Sequence, residues 1–400
     1  MNPRNRYALW TLFTVLMLVL TACGQSELSE IDQAGTYAAQ TVAAMPSATE
    51  KVLPTETATP EPTATETQIP TVGPVGPSDF PEGVNPLTGL MVANPENLNR
   101  RPVFVKVANY PASGRPHAGL SSADLVFEYY IGYGSNRFVG VYYGENADQI
   151  GPVRSGRLVD PQLVGLYQGI LGFQGAYETI LSDIVDSLGA RAISGTGNAC
   201  PAICDDGRNI VTSVFANSAE LTKLADQRGV NNQRYALDGM SFDPAAPEGG
   251  TPGTDALVQY SNLDRGEWQY DGATGKYLRL IEDTSGAELE MIPLVDRNTD
   301  EQLAFSNVVV LFATYTEYAP AMHDIDITGN TSGRRAVIFR DGQAYEVTWI
   351  VPNNGQPIQF RDANGDAFAL KPGNTWMAIM GANSSASQTE GDWKFVFYLP

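Results

Sequence analysis

The sequence predicts an α/β mixed (α+β) fold: an N-terminal mixed sheet with helices, and a mainly β C-terminal domain packed with it. Three observations predict this. Between 101 and 144 stand three runs rich in β-branched and aromatic residues. Between 160 and 229 the apolar residues change to a helical period. From 257 onward the chain returns to short β runs broken by Asp-Gly and Asn-Gly turns.

Taken in order, the first 22 residues read MNPRNRYALWTLFTVLMLVLTA, with Arg4 and Arg6 ahead of an apolar run over 8–20. That is the make-up of a secretory signal, here residues 1–22. Leu20-Thr21-Ala22-Cys23 resembles the bacterial lipobox, in which the cysteine is diacylated and becomes the new N-terminus. Cys23 is therefore the expected lipidation site, and the chain is expected on the extracytoplasmic face of the cell membrane. Residues 23–83 follow as a Pro/Thr/Glu-rich tether, in which nine acids face Lys51 alone. So little apolar surface cannot offset chain entropy, and the like charges repel, so the tether is expected to be disordered and extended.

An N-terminal domain is expected over 84–237. RPVFVKVAN (101–109), ADLVFEYYI (123–131) and RFVGVYYG (137–144) read as strands, the last two joined by a glycine-rich turn. Asp160 and Pro161 open a helix with Leu163, Val164, Leu166, Tyr167 and Ile170 on its apolar face. A second helix over 177–188 turns Tyr177, Ile180, Leu181, Ile184, Val185 and Leu188 inward and stops at Gly189. A third starts at Asn217, with Glu220 completing a capping box, and ends before Gly229. Residues 238–256, rich in Gly, Pro and Asp, form a linker. Residues 257–400 form the C-terminal domain, with hairpins at Asp341-Gly342 and Asn364-Gly365.

Charge excludes one class of partner. With 45 acidic and 25 basic side chains the chain carries a formal −20, which repels nucleic acid. Against that background, residues 97–157 hold seven basic side chains and four acids. On strand 123–131, Asp124 and Glu128 share one face, while Leu125, Phe127 and Tyr129 share the other. With Arg115, Arg137, Arg154 and Arg157 these acids form either a structural ion-pair network or a polar cleft for an anionic or sugar-like ligand. Guanidinium forks suit carboxylate and phosphate. The first alternative makes IGPVRSGRLVD (150–160) a connector whose arginines hold the acids of the strand.

Other constellations are thinner. His117 and His323 are the only histidines, and no G-x-S-x-G, H-E-x-x-H or P-loop motif is present. No catalytic residue is assigned, and no cofactor or metal is expected. DANGD (362–366) lacks the glycine and glutamate positions of a calcium loop, and a hairpin turn accounts for it. Asp324 and Asp326 read as loop acids. For Cys200 and Cys204, export favours a disulfide; free thiols and a zinc site are the alternatives.

NPLTGL (85–90), RPVFVKVAN, GRPHAGLSSADLVFE (114–128), RFVGVY (137–142) and IGPVRSGR (150–157) resemble the N-terminal domain of the YerB-like lipoproteins, also labelled DUF3048. YDGATGKYLR, NVVV, FRDGQAYEVTW and LKPGNTWMAI resemble its C-terminal domain. The resemblance implies a bacterial envelope lipoprotein with a two-part α/β fold and no established reaction. His117 stands where that family usually has glutamine. GFQGAY (172–177) and CPAICDDGRNIVTS (200–213) stand where it tends to carry histidine-bearing turns, which weakens any histidine-dependent chemistry. Two functions remain open. One is a binding or scaffold protein whose partner is a glycan, peptidoglycan or another envelope protein. The other is an envelope enzyme acting on cell-wall or polysaccharide material through the Asp/Glu/Arg cluster. Asp124 and Glu128, four apart on a strand, lie roughly 13 Å apart, too far to cleave a glycoside as a pair.

Overall fold

The computed structural model describes residues 69–70, 73–209, 211–285 and 290–399. The signal segment, Cys23 and the tether up to residue 68 lie outside the described residues. The chain joins the fold earlier than its composition predicts. Ile69–Pro70 pairs with Leu90–Met91, and the Val75 amide donates to the Phe242 carbonyl at 2.8 Å. Two backbone pairings recruit a stretch whose side chains could not fold alone.

The first strands are β1 (Val103–Ala108), β2 (Leu125–Gly132), β3 (Ser135–Tyr142), β4 (Ile170–Phe173) and β5 (Ala192–Ser194). β2 and β3 form an antiparallel hairpin, β3 pairs antiparallel with β1, and β1, β4 and β5 run parallel. Three helices accompany them: α1 (Asp160–Leu166), α2 (Glu178–Leu188) and α3 (Ser218–Gln227). The Asn217 side chain accepts from the Glu220 amide and caps α3. α1 is shorter than its apolar spacing predicts. Gln168 adopts φ +53° and turns the chain, so Ile170 opens β4 instead of lining the helix. On α2, Ile180, Ile184 and Leu188 are buried, whereas Tyr177 and Val185 face solvent, contrary to the expected inward stripe.

The C-terminal strands are β6 (Asp255–Gln259), β7 (Arg265–Asp271), β8 (Lys276–Glu282), β9 (Met291–Pro293), β10 (Asn307–Ala319), β11 (Met322–Asp326), β12 (Arg334–Arg340), β13 (Gln343–Ile350), β14 (Thr375–Gly381), β15 (Ser385–Thr389) and β16 (Asp392–Val396). One sheet runs β13-β12-β10-β14-β2-β3-β1-β4-β5, and a second runs β9-β8-β7-β6-β16-β15. Strand β14 lies parallel between β10 and β2, with Trp376 opposite Val126 and Ala378 opposite Glu128. The main sheet therefore runs continuously across both halves of the chain, and Thr65–Pro400 is one compact unit.

Alternation along the strands sorts the side chains onto two faces. Val126, Glu128, Phe138, Phe312 and Trp376 meet the second sheet. There Trp376 packs edge-on to Trp268 and Phe305, and Phe312 packs on Phe395. Phe104, Phe127 and Tyr129 face the other way, with Tyr167 packed on Phe104 and Phe127. Strand makes up 40% and helix 13%, so the fold is a mixed, sheet-rich one more than an even α+β division.

Candidate anion-binding site

The six predicted cluster residues fall into separate environments, because the main sheet stands between them. Asp124, just ahead of β2, is buried. Its carboxylate accepts from Asn85 Nδ2 at 2.8 Å and from the Tyr143 and Gly144 amides at 2.6 and 3.0 Å. Burial pushes its pKa up to about 7, against the pull of those amides and of Arg100.

Glu128 lies between the two sheets. It accepts from Arg279 at 3.1 and 3.2 Å, from Trp376 Nε1 at 2.6 Å and from Asn136 Nδ2 at 2.5 Å. The Arg279 guanidinium lies 4.9 Å from the Trp268 ring and 5.0 Å from Trp376. Burial raises the Glu128 pKa, and Arg279 pulls it back. Arg115 sits elsewhere, paired with Glu282 at 2.6 Å beside the Tyr110 ring. The strand's acids are thus held by Arg279 and by backbone amides, not by Arg154 and Arg157 as the connector reading expects.

Arg137, Arg154 and Arg157 do come together, on the helix-bearing face. Arg137 pairs in register with Tyr129 and Ala108, which places it beside Lys106 on β1. Segment 150–156 crosses the carboxyl ends of β1 and β4. The Arg154 amide donates to the Lys106 carbonyl at 3.0 Å, the Gln174 amide to the Arg154 carbonyl at 2.9 Å, and the Gly156 amide to the Gly175 carbonyl at 2.9 Å. Ligands in open α/β sheets bind in this position, outside the carboxyl ends of parallel strands.

The charge there is unbalanced. Asp160 is the carboxylate at the centre: it pairs with Lys106 Nζ at 2.9 Å, accepts from the Tyr129 hydroxyl, and takes the Arg157 amide at 2.7 Å. The Lys106 ammonium also touches the Tyr129 hydroxyl and sits 4.0 Å from its ring centre. Burial, with Arg137 and Arg157 close by, lowers the Lys106 pKa to about 7 although Asp160 opposes it. Burial first, then Arg157 and Arg154, hold the Arg137 pKa well below its usual range. Arg137 donates to the Ser155 carbonyl at 2.9 Å, and Arg157 to the Ile131 and Ala321 carbonyls at 3.2 and 2.5 Å. The Arg154 guanidinium has no hydrogen-bond or ion-pair partner among the described residues, and its Nε and that of Arg157 are buried and unpaired.

Sequence reasoning missed Lys106, Tyr129 and Asp160 as members of this site. The signal was present: one lysine in the apolar run VFVKVA, on a strand buried throughout. It missed Arg279 for want of any local cue.

The remaining candidates, His117 apart, have hydrogen-bond, ion-pair or disulfide partners. His117 is buried, and burial together with Arg115 lowers its pKa to about 3. His323 Nε2 lies 3.1 Å from Glu317. Asp324 accepts from Gln162 of α1 at 2.9 Å, and Asp326 pairs with Arg334. Asp362 accepts the Asn364 and Asp366 amides, each at 2.9 Å, as a turn does. Cys200 and Cys204 are joined by a disulfide.

Residues 87–231 match the family model described as protein of unknown function (DUF3048) N-terminal domain, and residues 256–377 match its C-terminal domain. The protein named "Putative lipoprotein YerB" of Bacillus subtilis (strain 168) is 25% identical over 315 residues, covering 77% of this chain and 89% of that protein. The crystal structure of the YerB protein from Bacillus subtilis superimposes with a TM-score of 0.62 at 25% identity, covering 74% of this chain and 96% of the other. The chain belongs to the DUF3048 family.

Proposed function

We propose that this chain is an extracytoplasmic lipoprotein, held to the membrane through a diacylated Cys23, that binds an anionic ligand at Arg137, Arg154 and Arg157. The charge imbalance around Asp160 carries the reading. One carboxylate stands among Lys106 and three arginines, and its oxygens are already taken by Lys106, Tyr129 and the Arg157 amide. Cationic groups crowded together out of water repel one another. A bound oxyanion relieves that repulsion and satisfies the unpaired guanidinium N–H groups. The lipobox at the N-terminus and the name of the Bacillus relative support the anchor. The carboxylates an enzyme would use are engaged elsewhere, Glu128 with Arg279 and Asp124 with backbone amides, which favours binding over catalysis.

Arg154→Ala tests the site. Arg154 makes no side-chain contact that folding needs, so the variant should unfold within about 0.5 kcal/mol of wild type. Its affinity for a carboxylate polymer such as polygalacturonate or polyglutamate should fall at least about tenfold. Unchanged affinity for polygalacturonate, polyglutamate and a phosphomannan in a folded variant removes the proposal. For the anchor, Cys23→Ala should abolish labelling by radioactive palmitate and release the protein from the membrane fraction. Retained label at another position would count against it.

A further inference from the structure

We infer that the ligand of the arginine cluster is an acidic polysaccharide, its sugar rings received by a rim of three exposed tyrosines. The inference rests on the anion-binding reading above. Tyr133, Tyr177 and Tyr318 are 72%, 79% and 60% exposed, among the largest apolar exposures in the described structure. Far apart in sequence, they stand on three segments that meet at the tip between β10 and β11, to which Arg157 is hydrogen-bonded. Arg157 donates to the carbonyls of Ile131 and Ala321, which ties the β2–β3 turn to that tip. Tyr133 is in the turn, next to Gly132, where an added Cβ would strike Pro320 and Ala321. Tyr318 lies at the end of β10, two residues before Pro320. Tyr177 precedes α2, whose Thr179 hydroxyl lies 3.8 Å from the Met322 sulfur, and the Gly175 carbonyl just before it takes the Gly156 amide.

Burial does not explain these rings, and at one position the backbone opposes the residue. Tyr133 adopts φ +51° between Gly132 and Gly134, a conformation costly for a bulky side chain and ordinarily given to Gly or Asn. The Tyr133 side chain, exposed and strained, makes no hydrogen bond or ring contact among the described residues. Tyrosine offers a large, rigid face with little rotamer entropy to lose and a hydroxyl at its edge. A sugar presents a matching C–H face bordered by hydroxyls. Next to guanidinium groups that take carboxylate or phosphate, the surface fits a polymer carrying both features on each unit. An acidic polypeptide supplies the charge but not the ring faces.

The test uses the full-length chain and three anionic polymers: polygalacturonate, a phosphomannan and polyglutamate. Wild type should bind both glycans more tightly than polyglutamate. The variant Tyr133→Ala/Tyr177→Ala/Tyr318→Ala, folded by circular dichroism, should lose about tenfold on both glycans and nothing on polyglutamate. Loss on one glycan only assigns the anion as carboxylate or phosphate. Polyglutamate bound as tightly as the glycans, or glycan affinity unchanged in the triple variant, overturns the inference and leaves anion binding standing. Arg154→Ala unchanged on all three polymers, or no binding to any of them, overturns both.

Discussion

Glu128 and His117 show how single residues set the energetics of the interior. Glu128 is buried between two sheets, where burial raises its pKa and Arg279, Trp376 and Asn136 all donate to its carboxyl group. Removing one partner of such a pair leaves a buried charge uncompensated. Arg279→Met should therefore cost about 3–5 kcal/mol in chemical denaturation at pH 7, and adding Glu128→Gln should recover part of the loss. His117 responds to pH. Its folded pKa, about 3, lies below the ordinary histidine value of 6.5. Between those values the unfolded chain holds the proton and the folded one does not, so stability falls as pH drops through that window. His117→Gln should reduce that fall by roughly 5 kcal/mol across the whole window. Asp124, raised to about 7, gives a slope of the opposite sign, so the difference between variant and wild type is the quantity to measure. At this scale the sequence was partly legible. Strand alternation separates Glu128 from Tyr129, and pairing Tyr129 with Arg137 puts that arginine on the face away from Glu128. What could not be read was the register between β2 and β3 and the arrival of Arg279 from a strand about 150 residues later.

Elements with strong local signals were legible, and those made by tertiary contact were not. α3 begins at the predicted asparagine cap, and the Asp341-Gly342 turn joins β12 to β13. By contrast β4 and β5 are short, and β4 follows so closely on α1 that Ile170 continues the helical spacing. Strand β7 shows how an element can depend on a missing side chain. A Cβ at Gly266 would run into the Arg279 guanidinium, which is fixed by Glu128 and enclosed by Trp268 and Trp376. Gly266→Ala should destabilise by about 1–3 kcal/mol, seen as a lower denaturant midpoint with unchanged slope. A midpoint equal to wild type would show that Arg279 can move aside.

For the whole molecule, the decisive feature is that β14 completes the sheet begun by β2. Composition shows a Gly/Pro/Asp-rich break over 238–256, but pairing across that break leaves no trace in either half's local pattern. The intact protein should unfold in one cooperative transition by both circular dichroism and tryptophan fluorescence. Residues 257–400 expressed alone should fail to give a dispersed NMR spectrum, because β14 would lose its β2 partner and Glu128 would no longer meet Arg279. A folded, monomeric C-terminal fragment would refute this.

The position of β14 also imposes a timetable. The β2–β3 hairpin is made early, yet its outer edge waits for residues 375–379, about 240 positions further along. Whatever the rate at which the chain emerges, an apolar strand edge has no mate over that interval. A chain built this way stays open until its last tenth is delivered. A chain truncated before Thr375 should therefore be protease-sensitive across β1 to β3, and cleavage there as slow as in the intact protein would count against this dependence.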